Sequence, residues 1–538
     1  MKLWLIILII GLAVLGGLLA YQVHWSWSLI LLIPAGLIAW WCYDFFQKES
    51  AVRRNFPLVG RFRDVAAWMR PKIHQYFVES DTEGRPFDKT QRDIVYHRAD
   101  KTEDTSAFGT LLDVYEEGYE WMNHSIAPID YRNIEEPRIW IGGSDCKQKY
   151  HMSLLNISAM SYGSLSTNAI SSLNGGAAIG GFAHNTGEGG ISPYHLMFGG
   201  DLIYQVGTGY FGCRASDGNF SPTLFAERAN LPQVKMIELK LSQGAKPGHG
   251  GILPAAKVTA EIASIRNVPM GQDVLSPPFH KAFSTPVELM ELVARMRSLS
   301  DGKPVGIKLC IGHKGEFLSI CKAMVKTGIK PDFITIDGGE GGTGASPLEF
   351  SNSVGMPMKE GVSFAYNALV GFNLKEDVRI FACGKIITGF HMFRALALGA
   401  DACFSARGMM MALGCIQALE CNLNTCPTGV ATQNPKLTRG LVVEDKKQKV
   451  ANYHELTVRN FAELMGAAGI EHPDMINRSH IYRRVSHRES QRLDQIYPYI
   501  HKGSLLHEDS IPASWMFHMN NSSADKFFIQ QPLEYLHL

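Results

Sequence analysis

The sequence predicts an α/β fold: a (β/α)8 TIM barrel carried behind an N-terminal transmembrane helical hairpin. Three observations predict it. Short β-rich runs alternate with amphipathic helical runs eight times between residues 152 and 405. Polar, glycine-rich strings follow those strands, where a barrel places its functional loops. Two long apolar runs come before all of this.

The first apolar run, Leu3 to Ala20, is 18 residues long, and the second extends from near Trp25 to near Tyr43. Each is long enough to cross a hydrocarbon core of about 30 Å as a helix. Trp25, Trp27, Trp40, Trp41 and Tyr43 stand at the ends, as an aromatic belt would. Lys2 precedes the pair, and Lys48, Arg53 and Arg54 follow it, whereas the connection from Tyr21 to Ser28 has no Lys or Arg. The expectation is a hairpin (residues 1–45) in the cell (inner) membrane, with both ends and the catalytic domain in the cytoplasm. Residues 46–150 read as a membrane-proximal cap that packs on the next domain.

The predicted strands are Met152–Met160, Phe182–Thr186, Ile203–Gly207, Val234–Leu241, Pro304–Cys310, Phe333–Asp337, Arg379–Cys383 and Ala402–Ser405. Helical patterns such as PVELMELVARMRSL and FHMFRALALG lie between them, with apolar residues recurring at three and four. An open doubly wound sheet is the alternative arrangement. The barrel domain is placed at 151–470 and a C-terminal tail at 471–538, which folds over the barrel or meets a partner.

Balanced charge, 52 basic against 51 acidic residues, argues against nucleic acid or a generally anionic partner. Ten cysteines without regular spacing fit a reducing compartment. Three of them stand out: Cys415, Cys421 and Cys426 form a C-x5-C-x4-C array followed by Pro427. Thiolates so spaced suit an iron-sulfur cluster. Buried inert cysteines and a structural zinc site are the competing readings, though zinc usually takes four ligands and no fourth Cys or His lies in the array.

The strings MSYGSLS, NTGEGG, QGAKPGHGG, SPPFH, DGGEGGTGASP and ALGCIQALECNLNTCPTGVATQ occur in this order. Together they resemble the FMN-binding domain of glutamate synthase, in its stand-alone, membrane-tethered form, over about residues 150–470. The resemblance implies FMN in the barrel and a 3Fe-4S cluster beside it on Cys415, Cys421 and Cys426. It implies a reaction in which a 2-imino acid, formed from 2-oxoglutarate and ammonia, is reduced to L-glutamate. By resemblance Met160, Ser161, Gly163, Gln205, Gly338 and Gly339 face the flavin. Gly384, Lys385, Ala406, Arg407 and Gly408, after strands seven and eight, suit its phosphate with backbone N–H groups and a cation. Lys308, rising from the apolar strand GIKLC, is an expensive buried charge unless paired; beside the flavin ring it would stabilise the reduced, anionic form.

A five-carbon keto-dicarboxylate needs two cationic clamps. The resemblance gives these as Lys246 and Arg266, with Gln243 and Glu188 nearby; a solvated C-terminal helix charge is the other reading of Arg266. Two departures bear on the substrate. His249 stands where the family pattern has glutamate, and Ile252 where it has a glutamine that helps hold the oxo acid. Isoleucine cannot donate that hydrogen bond, so the oxo acid can differ. No glutaminase region is recognisable, so ammonia is expected from solution or from a separate ammonia-supplying subunit. The glycines at 338–344 are not read as the strand-to-helix G-x-G-x-x-G within a βαβ unit that dinucleotide binding requires, which points to a protein electron donor such as ferredoxin, or a quinol-linked one. A membrane-associated electron-transfer or accessory flavoprotein, or a synthase of an N-substituted amino acid, is the alternative function.

Overall fold

The computed structural model describes residues 2–102, 105 and 107–527. Contacts divide the chain into two units, residues 1–89 and 90–538.

In the first unit, one helix covers Lys2–Gln22, and a 3-10 turn at Trp25–Leu31 runs into a second helix, Leu32–Phe46. Among the described residues, Trp25–Phe46 is the one stretch both long and apolar enough to cross a membrane. The predicted pair of spans is thus seen as two apolar helices, of which one meets that test.

The second unit holds a closed barrel of eight parallel strands, so the open-sheet alternative is set aside. In chain order they are β1 (Leu155–Ile157), β2 (His184–Asn185), β3 (Leu202–Val206), β4 (Val234–Lys240), β5 (Val305–Leu309), β6 (Phe333–Asp337), β7 (Arg379–Cys383) and β8 (Ala402–Ser405). β8 pairs with β1 through Cys403 and Leu155, which closes the ring. Their side chains are almost all buried, as expected where a parallel sheet is covered on its outer face and packed within.

Helices follow the strands: α1 (Thr167–Gly180), α2 (Pro222–Ala229), α3 (Pro286–Leu299), α4 (Lys314–Thr327), α5 (Met358–Gly371), α6 (Gly389–Leu398) and α7 (Val443–Ala467). Their ends follow from local chemistry. Ser166 caps α1, Thr285 and Glu288 form a capping box on α3, and Gly328 and Gly399 take positive φ to end α4 and α6. A glycine pair on α1 lets α7 pack close. A Cβ on Gly176 would lie 2.5 Å from Val450 Cγ1, so no larger residue fits this seam.

A hairpin of Arg138–Ile141 and Tyr150–Ser153 lies at the N-terminal end of the strands, tied there by Gly143 N–H donating to Asp332. The described part of the tail folds onto the barrel. Helix Ala513–Asn520 meets α4, where Lys322 donates to the carbonyls of Met519 and Ser522.

Candidate active site

The C-terminal ends of the strands form the mouth, and its charged groups come from three directions. Glu188 follows β2, Lys240 ends β4, Gln243 and Lys246 lie in the next loop, and Arg266 closes the helix Ala260–Arg266. Lys240 Nζ lies 3.0 Å from Glu188 Oε2 and donates to Gln243 Oε1 at 2.9 Å. Lys246 is 3% exposed and donates to Ala345 O, and Arg266 is 4% exposed. The solvated-charge reading of Arg266 is therefore overturned.

Burial would raise the Glu188 carboxyl, but Lys240, Arg266 and Lys246 together hold it below its usual range. The cations are pushed the other way. Burial lowers Lys246 to about 8, with Glu188 opposing and Lys240 adding to the fall. Burial lowers Arg266 to about 10, again opposed by Glu188. Three buried cations thus act on one carboxylate, an arrangement that lacks two negative charges. Arg266 also has an Nε without a partner, while its Nη2 donates to Ser161 Oγ and Tyr162 O. His249 borders the same cavity as Glu188, Lys240, Gln243 and Lys246, its ring edge-on to Phe350. Ile252 lies in a short hairpin strand, paired with Leu275.

The residues expected around the flavin gather in the same mouth. Met160, Ser161 and Gly163 follow β1, and the Ser161 contact with Arg266 joins this group to the buried cations. Lys308 and Asp337 are both buried, with Nζ 3.3 Å from Oδ2, so the required partner exists. Burial would lower Lys308, yet Asp337, Cys383 and Glu238 raise it, so it stays charged. Asp337 Oδ2 also accepts from Gly244 N–H, whereas its Oδ1 is buried without a partner.

Gly338 N–H donates to Cys383 O and Gly339 N–H to Met356 O. A Cβ on Gly244 would sit 1.8 Å from Gly338 O, so only glycine allows these two loops to touch. Gly384 and Lys385 follow β7 with positive φ, and Ala406, Arg407 and Gly408 follow β8 at the start of a short helix. Arg407 donates to Glu340 O. Gln205 stands on β3. It is buried inside the barrel and donates to Glu238 Oε1 at 2.6 Å, a carboxylate that also takes bonds from Asn185 and Thr335.

Lys240, Glu238 and Asp337 were not among the expected residues. Glu238 and Lys240 alternate with apolar residues in MIELKL, and period two puts both on the inner face of β4; that signal could have found them.

The cysteine loop winds tightly, with positive φ at Gly414, Gln417, Leu419, Asn424 and Gly429. Burial, opposed by a backbone hydrogen bond at Gln417 and aided by Cys421 and Cys426, raises the Cys415 thiol to about 12, so the three sulfurs share one electrostatic neighbourhood. Among the described residues, no set of three His, Cys, Asp or Glu side chains is arranged to hold a metal ion. The buried Lys257 reaches under the loop, donating to the carbonyls of Ser164, Cys421 and Ala431 at 2.7–3.0 Å. Tyr96 OH donates to Cys415 O.

The family model described as a conserved region in glutamate synthase matches residues 101–471. The chain is 37% identical over 496 residues to the glutamate synthase large subunit-like protein YerD of Bacillus subtilis (strain 168), covering 85% of this chain and 94% of that one. It is 36% identical over 313 residues to an archaeal-type glutamate synthase (NADPH) of Thermotoga neapolitana, and there it covers 58% of each. Among solved structures, the flavin-binding domain of baker's yeast flavocytochrome b2 is similar at a TM-score of 0.43 and 13% identity, covering 76% of this chain and 81% of that one.

Proposed function

The chain belongs to the glutamate synthase family, whose FMN-binding barrel and oxidoreductase character it shares, and on that premise we propose that it reduces a 2-imino dicarboxylate to an amino acid. The substrate would arise from 2-oxoglutarate, or a close analogue, and ammonia. The observation that carries this reading is the buried set of Lys240, Lys246 and Arg266 facing the single carboxylate of Glu188. A dicarboxylate supplies the two missing negative charges; an uncharged or singly charged substrate does not.

FMN fits the orphaned Asp337 Oδ1, the paired Lys308 and the glycine-only contact of Gly244 with Gly338. When bound it supplies hydride transfer. Ser161, Gly163 and Gly338 would bear on the ring system, and Gly384, Lys385, Ala406, Arg407 and Gly408 on the phosphate. Lys246 and Arg266 then hold the substrate carboxylates. Glu188, kept ionised, favours a cationic iminium nitrogen beside it over a neutral ketone.

For Cys415, Cys421 and Cys426 we propose a 3Fe-4S cluster that passes electrons from a protein donor such as ferredoxin. The mutual influence of the three thiols supports it. A cluster distributes its cysteines over several iron atoms, so it does not require the convergence that one ion demands. The apolar helices Lys2–Gln22 and Leu32–Phe46, flanked by Lys2, Lys48, Arg53 and Arg54, support a tether to the inner membrane with the barrel on the cytoplasmic side. Ammonia comes from solution or from a separate subunit.

The test is turnover of the cofactor-loaded protein with reduced ferredoxin, ammonium and a panel of 2-oxo acids, with amino acids identified by mass spectrometry. Formation of a dicarboxylic amino acid is expected, and no amino acid from any acid overturns the reading. Ile252, which cannot donate the hydrogen bond of the family's glutamine, favours a second reading, an electron-transfer or accessory flavoprotein that turns over no small substrate; amino-acid formation by the loaded protein in the same assay overturns it.

A further inference from the structure

The chain between the apolar helices and the barrel carries an exposed amphipathic helix that no proposed step uses. It runs from Arg61 to Ile73 and continues through a π-turn at His74–Val78. None of these residues is buried. Phe62, Val65, Met69, Ile73 and Tyr76 recur at three and four, so they fall on one face, and Trp68 and Phe77 flank that stripe. Phe62 is 74% exposed and Phe77 84%. Arg63, Arg70 and His74 occupy the other face, and Lys72 lies over the Trp68 ring at 3.7 Å. A stripe of seven large apolar residues in water is a cost that a stable protein covers.

The helix is held to the end of the apolar segment by a built elbow. Asp44, fully buried at the end of Leu32–Phe46, takes Arg61 through both oxygens at 2.6–3.1 Å and also accepts from Leu58 N–H. The Arg61 guanidinium lies 4.8 Å from the Trp40 ring centre, and Arg53 pairs with Asp64 at 2.7 Å. The direction of the helix relative to the preceding one is therefore fixed rather than left to a linker. Asp44 and Asp64 are paired inside the elbow, and around it the cationic Lys48, Arg54, Arg63, Arg70 and Lys72 outnumber Glu49 and Glu79, the latter 3.9 Å from His74.

We propose that residues 61–78 lie in the plane of the membrane surface, with the Phe62–Tyr76 stripe among the upper acyl chains and the basic residues among anionic phospholipid headgroups. This rests on the membrane tether proposed above. Basic residues on one face with Trp and Phe on the other is the composition of interfacial helices, and continuity with an apolar span presents the helix to the headgroup layer.

The test uses the full chain in single-copy lipid nanodiscs containing phosphatidylglycerol, with hydroxyl-radical footprinting read by mass spectrometry. Trp140, 59% exposed and in the barrel unit, is the reference. Oxidation of Phe62, Trp68, Met69 and Phe77 is expected to fall about five-fold or more below that of Trp140. In a Phe62→Glu, Met69→Glu variant, Trp68 and Phe77 are expected to return to the Trp140 level while the chain stays in the disc. Full oxidation of the wild-type stripe in chain-loaded discs overturns the surface helix and leaves the tether standing; failure of the chain to enter discs removes the tether itself. Equal protection in phosphatidylcholine-only discs overturns the anionic-headgroup part.

Discussion

Replacing Lys246 by glutamine removes one of the two surplus charges at the barrel mouth and leaves a side chain of similar length. A charge-assisted hydrogen bond in a buried site is worth about 1.5–3 kcal/mol. Binding of a dicarboxylate such as 2-oxoglutarate should therefore weaken about ten- to hundred-fold, while 2-oxobutyrate, with one carboxylate, should lose far less. Titration of the flavin absorbance of the oxidised protein with each acid reads both constants. The pH dependence gives an independent arm. Burial holds Lys246 at about 8, below its ordinary value, so its charge is present below that pH and lost as pH rises through it. The anion binds the protonated form, so wild-type affinity should fall by up to about tenfold per unit above pH 8. Lys246→Gln should lack that inflection, and Lys246→Arg should bind across the same range without it. Equal weakening of both acids, or a wild-type pH fall in the glutamine variant, would refute the clamp.

Three further outcomes concern Lys308, Cys421 and Lys257. Lys308→Met strands Asp337 and should lower stability to urea by about 3–5 kcal/mol, with part recovered in the Lys308→Met, Asp337→Asn double variant; a neutral single variant sinks the pairing argument. Cys421→Ser should lose iron by elemental analysis while retaining flavin, and a wild type that carries flavin without iron removes the cluster from the account. Lys257→Met leaves three carbonyls without their ammonium, so amide hydrogen exchange across residues 414–433 should accelerate, and unchanged protection would show that Lys257 does not hold the loop.

The barrel was legible because most of its strands are short, largely apolar runs bounded by turn residues. Phe333–Asp337, Arg379–Cys383 and Ala402–Ser405 have the limits the sequence suggests. The run Met152–Met160 contracts to Leu155–Ile157 because Tyr150–Ser153 pairs backwards with Arg138–Ile141, a partner with no local signature. The glycine strings marked the mouth, since close loop contacts such as Gly244 on Gly338 admit no side chain. What the pattern hid was charge inside the strands. Lys240 and Glu238 sit in a run read as hydrophobic, and their value depends on Glu188, Gln205 and Asn185, which come from elsewhere in the chain. Pairing across a closed sheet is a tertiary fact. Ser161 meeting Arg266 across 105 residues is another case, foreshadowed by family likeness and by no spacing rule.

Glu238 has a wider bearing than its own bonds. By accepting from Asn185, Gln205 and Thr335, it laces four strands together across the interior, and that crossbrace, with the packed layers beneath it, seals the floor of the vessel. The groups above that floor are reached from the C-terminal rim of the strands, where Glu188, Lys240 and Lys246 line a shared cavity. A ligand gripped by those charges shuts out the next for as long as it stays.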